Sequence, residues 1–154
     1  MANPLILVVE DNPDHLELAV TTLEDVTQGV EIATARDGVE ALDFLLGRGA
    51  HAGRDTQHQP TFMLLDIKLP RLSGLEVLRA LRSNPLTALV PVVMLTSSTE
   101  QSDMCACYEA GANSFVHKSV DFGRYVEKLD CLQNYWLQVN EPPESDSCLA
   151  PLIV

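Results

Sequence analysis

The sequence predicts an α/β domain in which a parallel sheet of five short strands is covered by helices. Three observations carry this prediction. The runs LILVV (residues 5–9), FMLL (62–65), VVML (92–95) and SFV (114–116) are short and largely apolar, as strands buried on both faces are. The segments between them place their apolar residues at helical spacing. The two kinds of segment alternate strictly, which is the order that builds parallel sheets through helical crossovers.

Taken in order, the first strand is followed by Asn12, which can cap a helix that opens with Pro13 and carries Leu16, Ala19, Val20 and Leu23 on one face. The second strand, VEIATA at 30–35, alternates in polarity and reads as an edge strand. Asp37 with Glu40, Ser73 with Glu76, and Ser98 with Gln101 have the spacing of capping boxes for the next three helices, the last of which should stop at Gly111. A final helix, from about 121 to 139, aligns Phe122, Tyr125, Val126, Leu129 and Trp136 on one stripe. Residues 47–60, polar and glycine-rich, read as an exposed loop. The domain therefore spans 1–139. Residues 140–154 form a flexible tail, acidic and then apolar (CLAPLIV). No internal repeat or second domain is visible.

The totals bound the function. A chain of 154 residues with 46% apolar composition can bury a sizeable core. Ten Lys and Arg against 22 Asp and Glu leave a net charge of -12, which repels nucleic acids and anionic membranes. No stretch is long and apolar enough to span a bilayer, and MANPLILVVED has neither a basic region nor a cleavage site, so a cytoplasmic protein is expected. Cys105, Cys107, Cys131 and Cys148 lack the paired spacing of a zinc site and read as free thiols. His15, His51, His58 and His117 are scattered.

The acids can be sorted by a rule of open parallel sheets, in which ligands bind where loops leave the carboxyl ends of the strands. Glu10 and Asp11 follow the first strand, Asp66 ends the third, Thr96 ends the fourth and Lys118 lies just past the fifth. All five can converge at one edge. Asp37 and Asp43 belong instead to a helix start and a helix surface. Clustered carboxylates repel one another unless a cation sits among them, and an all-oxygen ligand set suits Mg²⁺. Because Mg²⁺ accepts phosphate as a further ligand, such a site can hold an incoming phosphoryl group. Lys118 can neutralise its oxygens, Thr96 can hydrogen-bond another, and Asp66 is a carboxylate nucleophile able to form an aspartyl phosphate.

VVEDN, LLDIKLP, LTSS and FVHKS resemble the four signatures of response-regulator receiver domains of two-component signalling, over about residues 4 to 139. The resemblance implies a flavodoxin-like sheet of order 2-1-3-4-5 with helices on both faces, and Asp66 as phosphoacceptor. It also implies a Mg²⁺ site of Glu10, Asp11, Asp66 and the Lys68 backbone carbonyl, with Thr96 and Lys118 gripping the phosphoryl group. Phe115, three residues before the lysine, would switch rotamer with Thr96, and partners would read the surface of the fourth helix, fifth strand and last helix. Such a protein is not an enzyme of metabolism. It is a phosphoacceptor that assists its own phosphoryl transfer and dephosphorylation. The phosphodonor would be a sensor histidine kinase or a phosphotransfer protein, and the signal would pass by binding another protein or by returning phosphate to a relay histidine.

Two residues depart from the family pattern. Glu10 replaces the commoner aspartate and should keep metal binding through a longer arm. Ser119 replaces the proline after the lysine, where a cis peptide would then cost about 3 kcal/mol. The loop before the third strand, HKSVD and YWL together resemble the small regulators that pair with bacterial and cyanobacterial phytochromes. That narrower resemblance implies a red-light-governed kinase and a homodimer, with Trp136, Leu137 and CLAPLIV as expected dimer contacts.

Other readings fit less well. Phosphatases of the haloacid dehalogenase class need a second acid two residues after the nucleophile, where this chain has Lys68. A flavodoxin-like cofactor carrier would have its phosphate repelled by EDNPD. A phosphorylation-independent dimeric scaffold leaves the full set of site residues unexplained.

Overall fold

The computed structural model describes residues 3–26, 29–97 and 101–143. Among them lie five strands and five α-helices in strict alternation: β1 (Leu5–Val9), α1 (Pro13–Val26), β2 (Glu31–Ala35), α2 (Gly38–Leu46), β3 (Phe62–Asp66), α3 (Gly74–Ser83), β4 (Val92–Thr96), α4 (Gln101–Glu109), β5 (Ser114–His117) and α5 (Phe122–Asn134). A short 3₁₀ turn (Gly49–His51) follows α2, and a π-helical turn (Tyr135–Val139) ends α5. All pairings are parallel, in the order β2-β1-β3-β4-β5, so β2 lies at one edge as its alternating sequence predicts. No helix among the described residues is long and apolar enough to cross a membrane.

The strand pleat divides the core in two. Leu7, Val9, Met63, Leu65, Val92 and Met94 face one side, where they meet Ala41, Leu42 and Leu45 of α2, Val77, Leu78 and Leu81 of α3, and Cys107 of α4. Ile6, Val8, Phe62, Leu64, Val93 and Leu95 face the other, against Leu16, Ala19 and Leu23 of α1 and Tyr125, Leu129 and Trp136. Each large side chain buried in these layers stabilises the fold by about 1.5–3 kcal/mol.

Helix starts follow the predicted chemistry with one exception. Asn12 Oδ1 accepts from the N–H groups of Asp14 and His15 at 2.9 and 3.2 Å. Ser73 and Glu76 form a complete reciprocal box. Asp37 accepts from Glu40 N, but the Glu40 carboxylate reaches back to Arg36 N, one residue before the cap. Ser98 and the segment from 144 onward, including Cys148 and CLAPLIV, lie outside the described residues.

Two expectations need correction and one is refined. The 47–60 loop is exposed along much of its length, as expected, and is also pinned: Arg54 lies over the Phe44 ring, 4.1 Å from its centroid, and donates to the carbonyls of Phe44, Leu45 and His58. Burial lowers the Arg54 pKa, and the bonded carbonyls compensate for the lost water. Phe122 is 60% exposed, so the apolar stripe of α5 starts at Tyr125 and includes the buried Gln133. Trp136, expected to stand free for dimer contacts, is buried and stacked on Phe62 at 6.4 Å between centroids, and Leu137 packs against the same cluster. The π-helical turn carries this tryptophan beyond the end of α5, while leaving Tyr135 and Val139 exposed.

Candidate functional site at the carboxyl edge of the sheet

Strand register brings the predicted residues together. Glu10 N donates to Ala35 O at 3.0 Å, extending the β1–β2 ladder one step so that Glu10 and Asp11 follow at the carboxyl end of β1, beside β3. Asp66 closes β3 and Thr96 closes β4, both buried. Lys118 N donates to Thr96 O at 2.7 Å, so β5 delivers the lysine at the same level. One carboxylate oxygen from each of Glu10, Asp11 and Asp66 lies within 4.8 Å of the others, with Asp11 exposed and the other two buried.

The Asp66 position is fixed from behind by a glycine. A Cβ on Gly74 would stand 2.1 Å from the Asp66 carbonyl oxygen, so only glycine lets α3 start so close to the end of β3. Lys68 N donates to Asp66 Oδ1 at 3.1 Å, tying the carboxylate to the loop that follows it.

Lys118 is buried, and its Nζ bonds both Asp66 Oδ2, at 2.7 Å, and Glu10 Oε1. Burial alone would lower the lysine pKa, but the hydrogen bonds and charges of Asp66 and Glu10 outweigh it and hold the ammonium above its ordinary value. Burial pushes the Glu10 carboxyl up to about 7, the neighbouring Asp66 charge adding to this and Lys118 opposing it. Two carboxylates and one ammonium therefore share a poorly solvated pocket with surplus negative charge. The trio itself offers only carboxylate oxygens, and a hard divalent cation fits that set and offsets the surplus.

Two neighbours went unrecognised in the sequence. His15 Nδ1 lies 3.6 Å from Glu10 Oε1, and its ring stands 6.5 Å from that of Tyr125. Tyr125, placed in the sequence only as part of an apolar stripe, has its hydroxyl pKa raised by burial and by the charges of Glu10 and Asp66. The i+4 step from Asp11 to His15 could have flagged the histidine, since one turn of helix returns it to the same rim. Phe115 is half-buried against the core layer of α2 to α4. Among the described residues no peptide bond is cis, so Lys118–Ser119 is trans.

A five-stranded parallel sheet with three carboxylates and a buried lysine at its carboxyl edge defines an α/β domain with an acidic pocket. The chain matches the family described as the response regulator receiver domain over residues 6–130, and it belongs to that family. It is 32% identical over 139 residues to the response regulator Rcp1 of Synechocystis sp., spanning 89% of this chain and 92% of that protein. The crystal structure of Mn²⁺-bound Rcp1 superposes with a TM-score of 0.84 at 31% identity, covering 92% of this chain and 99% of that one. The phosphorylated cyanobacterial phytochrome response regulator RcpA gives a TM-score of 0.86 at 31% identity, covering 93% and 100%. The bacteriophytochrome response regulator AtBRR is 43% identical, with a TM-score of 0.71 over 90% of this chain and 99% of that one.

Proposed function

We propose that this protein is a phosphorylation switch that accepts a phosphoryl group from the phosphohistidine of a sensor histidine kinase, or from a phosphotransfer protein, onto Asp66. The observation that carries the reading is the packing of Glu10, Asp11 and Asp66 within 4.8 Å, with Lys118 bonded to two of them. Glu10, Asp11, Asp66 and the Lys68 carbonyl would hold Mg²⁺, which supplies charge neutralisation for incoming phosphoryl oxygens. That Rcp1 binds Mn²⁺ supports divalent metal binding by this chain.

An Asp66 oxygen attacks phosphorus as the bond from phosphorus to the donor's imidazole nitrogen breaks and the imidazole leaves, while Lys118, released from carboxylate oxygens that gain other partners, pairs with the phosphoryl group. Thr96 contributes its hydroxyl, and Phe115 beneath it follows as the switch. Output is a changed protein-binding surface. The likeness to RcpA and AtBRR, both phytochrome response regulators, supports a phytochrome-type kinase as donor. The receiver unit is residues 1–139, working in the cytoplasm as a homodimer, with the exposed Tyr135 and Val139 and the 140–154 tail as contacts. Light scattering before and after removal of residues beyond Val139 tests the tail, and an unchanged assembly state eliminates it.

Acetyl phosphate with Mg²⁺ tests the phosphoacceptor by intact mass. One phosphoryl adduct is expected on the native chain and none on Asp66→Asn. An adduct on the variant, or none on the native chain, would leave the scaffold reading in its place.

A further inference from the structure

The imidazole of His117, the last residue of β5, places Nε2 3.2 Å from the carbonyl oxygen of Ser97. A carbonyl only accepts, so the ring proton at this contact sits on Nε2. Thr96 stands opposite His117 in the β4–β5 register, and Ser97 is the next residue of the chain leaving β4. The main-chain ladder continues through the bond from Lys118 N to Thr96 O. The ring then ties down the residue beyond it. From the other side, Lys128 Nζ of α5 donates to the His117 carbonyl at 2.7 Å and fixes the backbone that carries the ring. One residue thus joins α5, β5 and the turn after Thr96.

We propose that His117 is a positioning residue, a latch that restrains Ser97, the residue next to Thr96, and so sets how readily the Thr96 hydroxyl reaches a phosphoryl group on Asp66. Only that last clause rests on the function proposed above. The restraint on Ser97 is a property of the unphosphorylated protein. A hydrogen bond of this kind biases an open-closed equilibrium by about two- to tenfold.

Two substitutions separate the donor from the bulk of the ring: His117→Phe keeps an aromatic side chain without the N–H, and His117→Gln restores a donor. Amide hydrogen exchange at Thr96 and Ser97, measured without metal or phosphate donor, should quicken about two- to tenfold in His117→Phe and return toward native rates in His117→Gln. Amides in β1 and β3 should be unchanged. Phosphorylation by acetyl phosphate should quicken by a similar factor in the phenylalanine variant alone. Native exchange rates in His117→Phe overturn the latch. Faster exchange with unchanged phosphorylation overturns its link to Thr96. If the native chain takes no phosphoryl group, the Asp66 reading fails and the exchange measurement alone decides whether His117 holds Ser97.

Discussion

Lys118 Nζ lies 2.7 Å from Asp66 Oδ2 while also bonding Glu10, so one buried ammonium stands between two buried carboxylates. These partners are 52 and 108 residues from the lysine in sequence. The pocket is held together by the pairing that a metal and a phosphoryl group would have to rearrange.

Removing the ammonium should therefore cost stability. Lys118→Met leaves the two carboxylates facing each other, and breaking a buried ion pair typically costs about 3–5 kcal/mol. Urea denaturation near pH 8 with a chelator should show a loss of this order. Millimolar Mg²⁺ should recover much of it, since a cation can stand where the ammonium stood. A loss below about 1 kcal/mol, or no recovery with metal, would show that the carboxylates do not depend on Lys118.

Glu10 makes a pH-dependent contribution of opposite sense to an ordinary salt-bridged acid. Its carboxyl titrates near 4.5 in the unfolded chain and at about 7 when folded. Below that window both states hold the proton; within it the folded state holds more, so stability falls as pH rises. Above it the cost is fully present. In metal-free protein, Glu10→Gln should flatten the decline between these two values. Lys118 is shifted in the stabilising sense, with a contribution present below 10.5 and lost as pH rises through its raised folded value, so it does not confuse the lower window. Urea midpoints that run parallel across the window for the native chain and the Glu10→Gln variant would reject this assignment.

At Gly74 the neighbour that a methyl group would meet is backbone, the Asp66 carbonyl oxygen at 2.1 Å and Ile67 Cα at 2.8 Å. Nothing there can rotate away. Gly74→Ala should cost at least the 1–3 kcal/mol typical of overpacking, about 2 kcal/mol or more. It should also weaken Mn²⁺ binding by moving Asp66, which a paramagnetic titration would read. Native stability in this variant would mean that β3 and α3 can separate without penalty.

Trp136 is a core residue, and Trp136→Ala should cost about 3–5 kcal/mol. Tyr135→Ser at the exposed neighbouring position should fall within about 0.5 kcal/mol. Denaturation at concentrations low enough to keep the chain monomeric distinguishes the two roles, because a tryptophan needed only between copies would leave monomer stability intact.

The architecture was legible because it is local and periodic. Buried strands such as LILVV and VVML, the caps at Asn12 and Ser73, and the acids and hydroxyl at strand ends follow from near neighbours in sequence. Contacts that depend on distant segments were not legible. The burial of Trp136 requires Phe62 beneath it, and the order of the 47–60 loop requires Phe44 under Arg54. Arg82 reads as an ordinary surface residue of α3, yet it donates to Gly111 O, Ala88 O, Val90 O and Asn113 Oδ1. Within the candidate site, the kinds of residue were predictable from strand-end positions. The two hydrogen bonds that Lys118 donates to Asp66 and Glu10, and the approach of His15, appear only once the strands are aligned.

The shared layer of α1 and α5 has a consequence for the newborn chain. Leu16, Ala19 and Leu23 are sealed by Tyr125, Leu129 and Trp136, which a ribosome makes much later than α1. Until then that helix lacks its lid, and its greasy side is open to whatever in the cell binds nascent polypeptides. The domain closes only when α5 arrives to cover it.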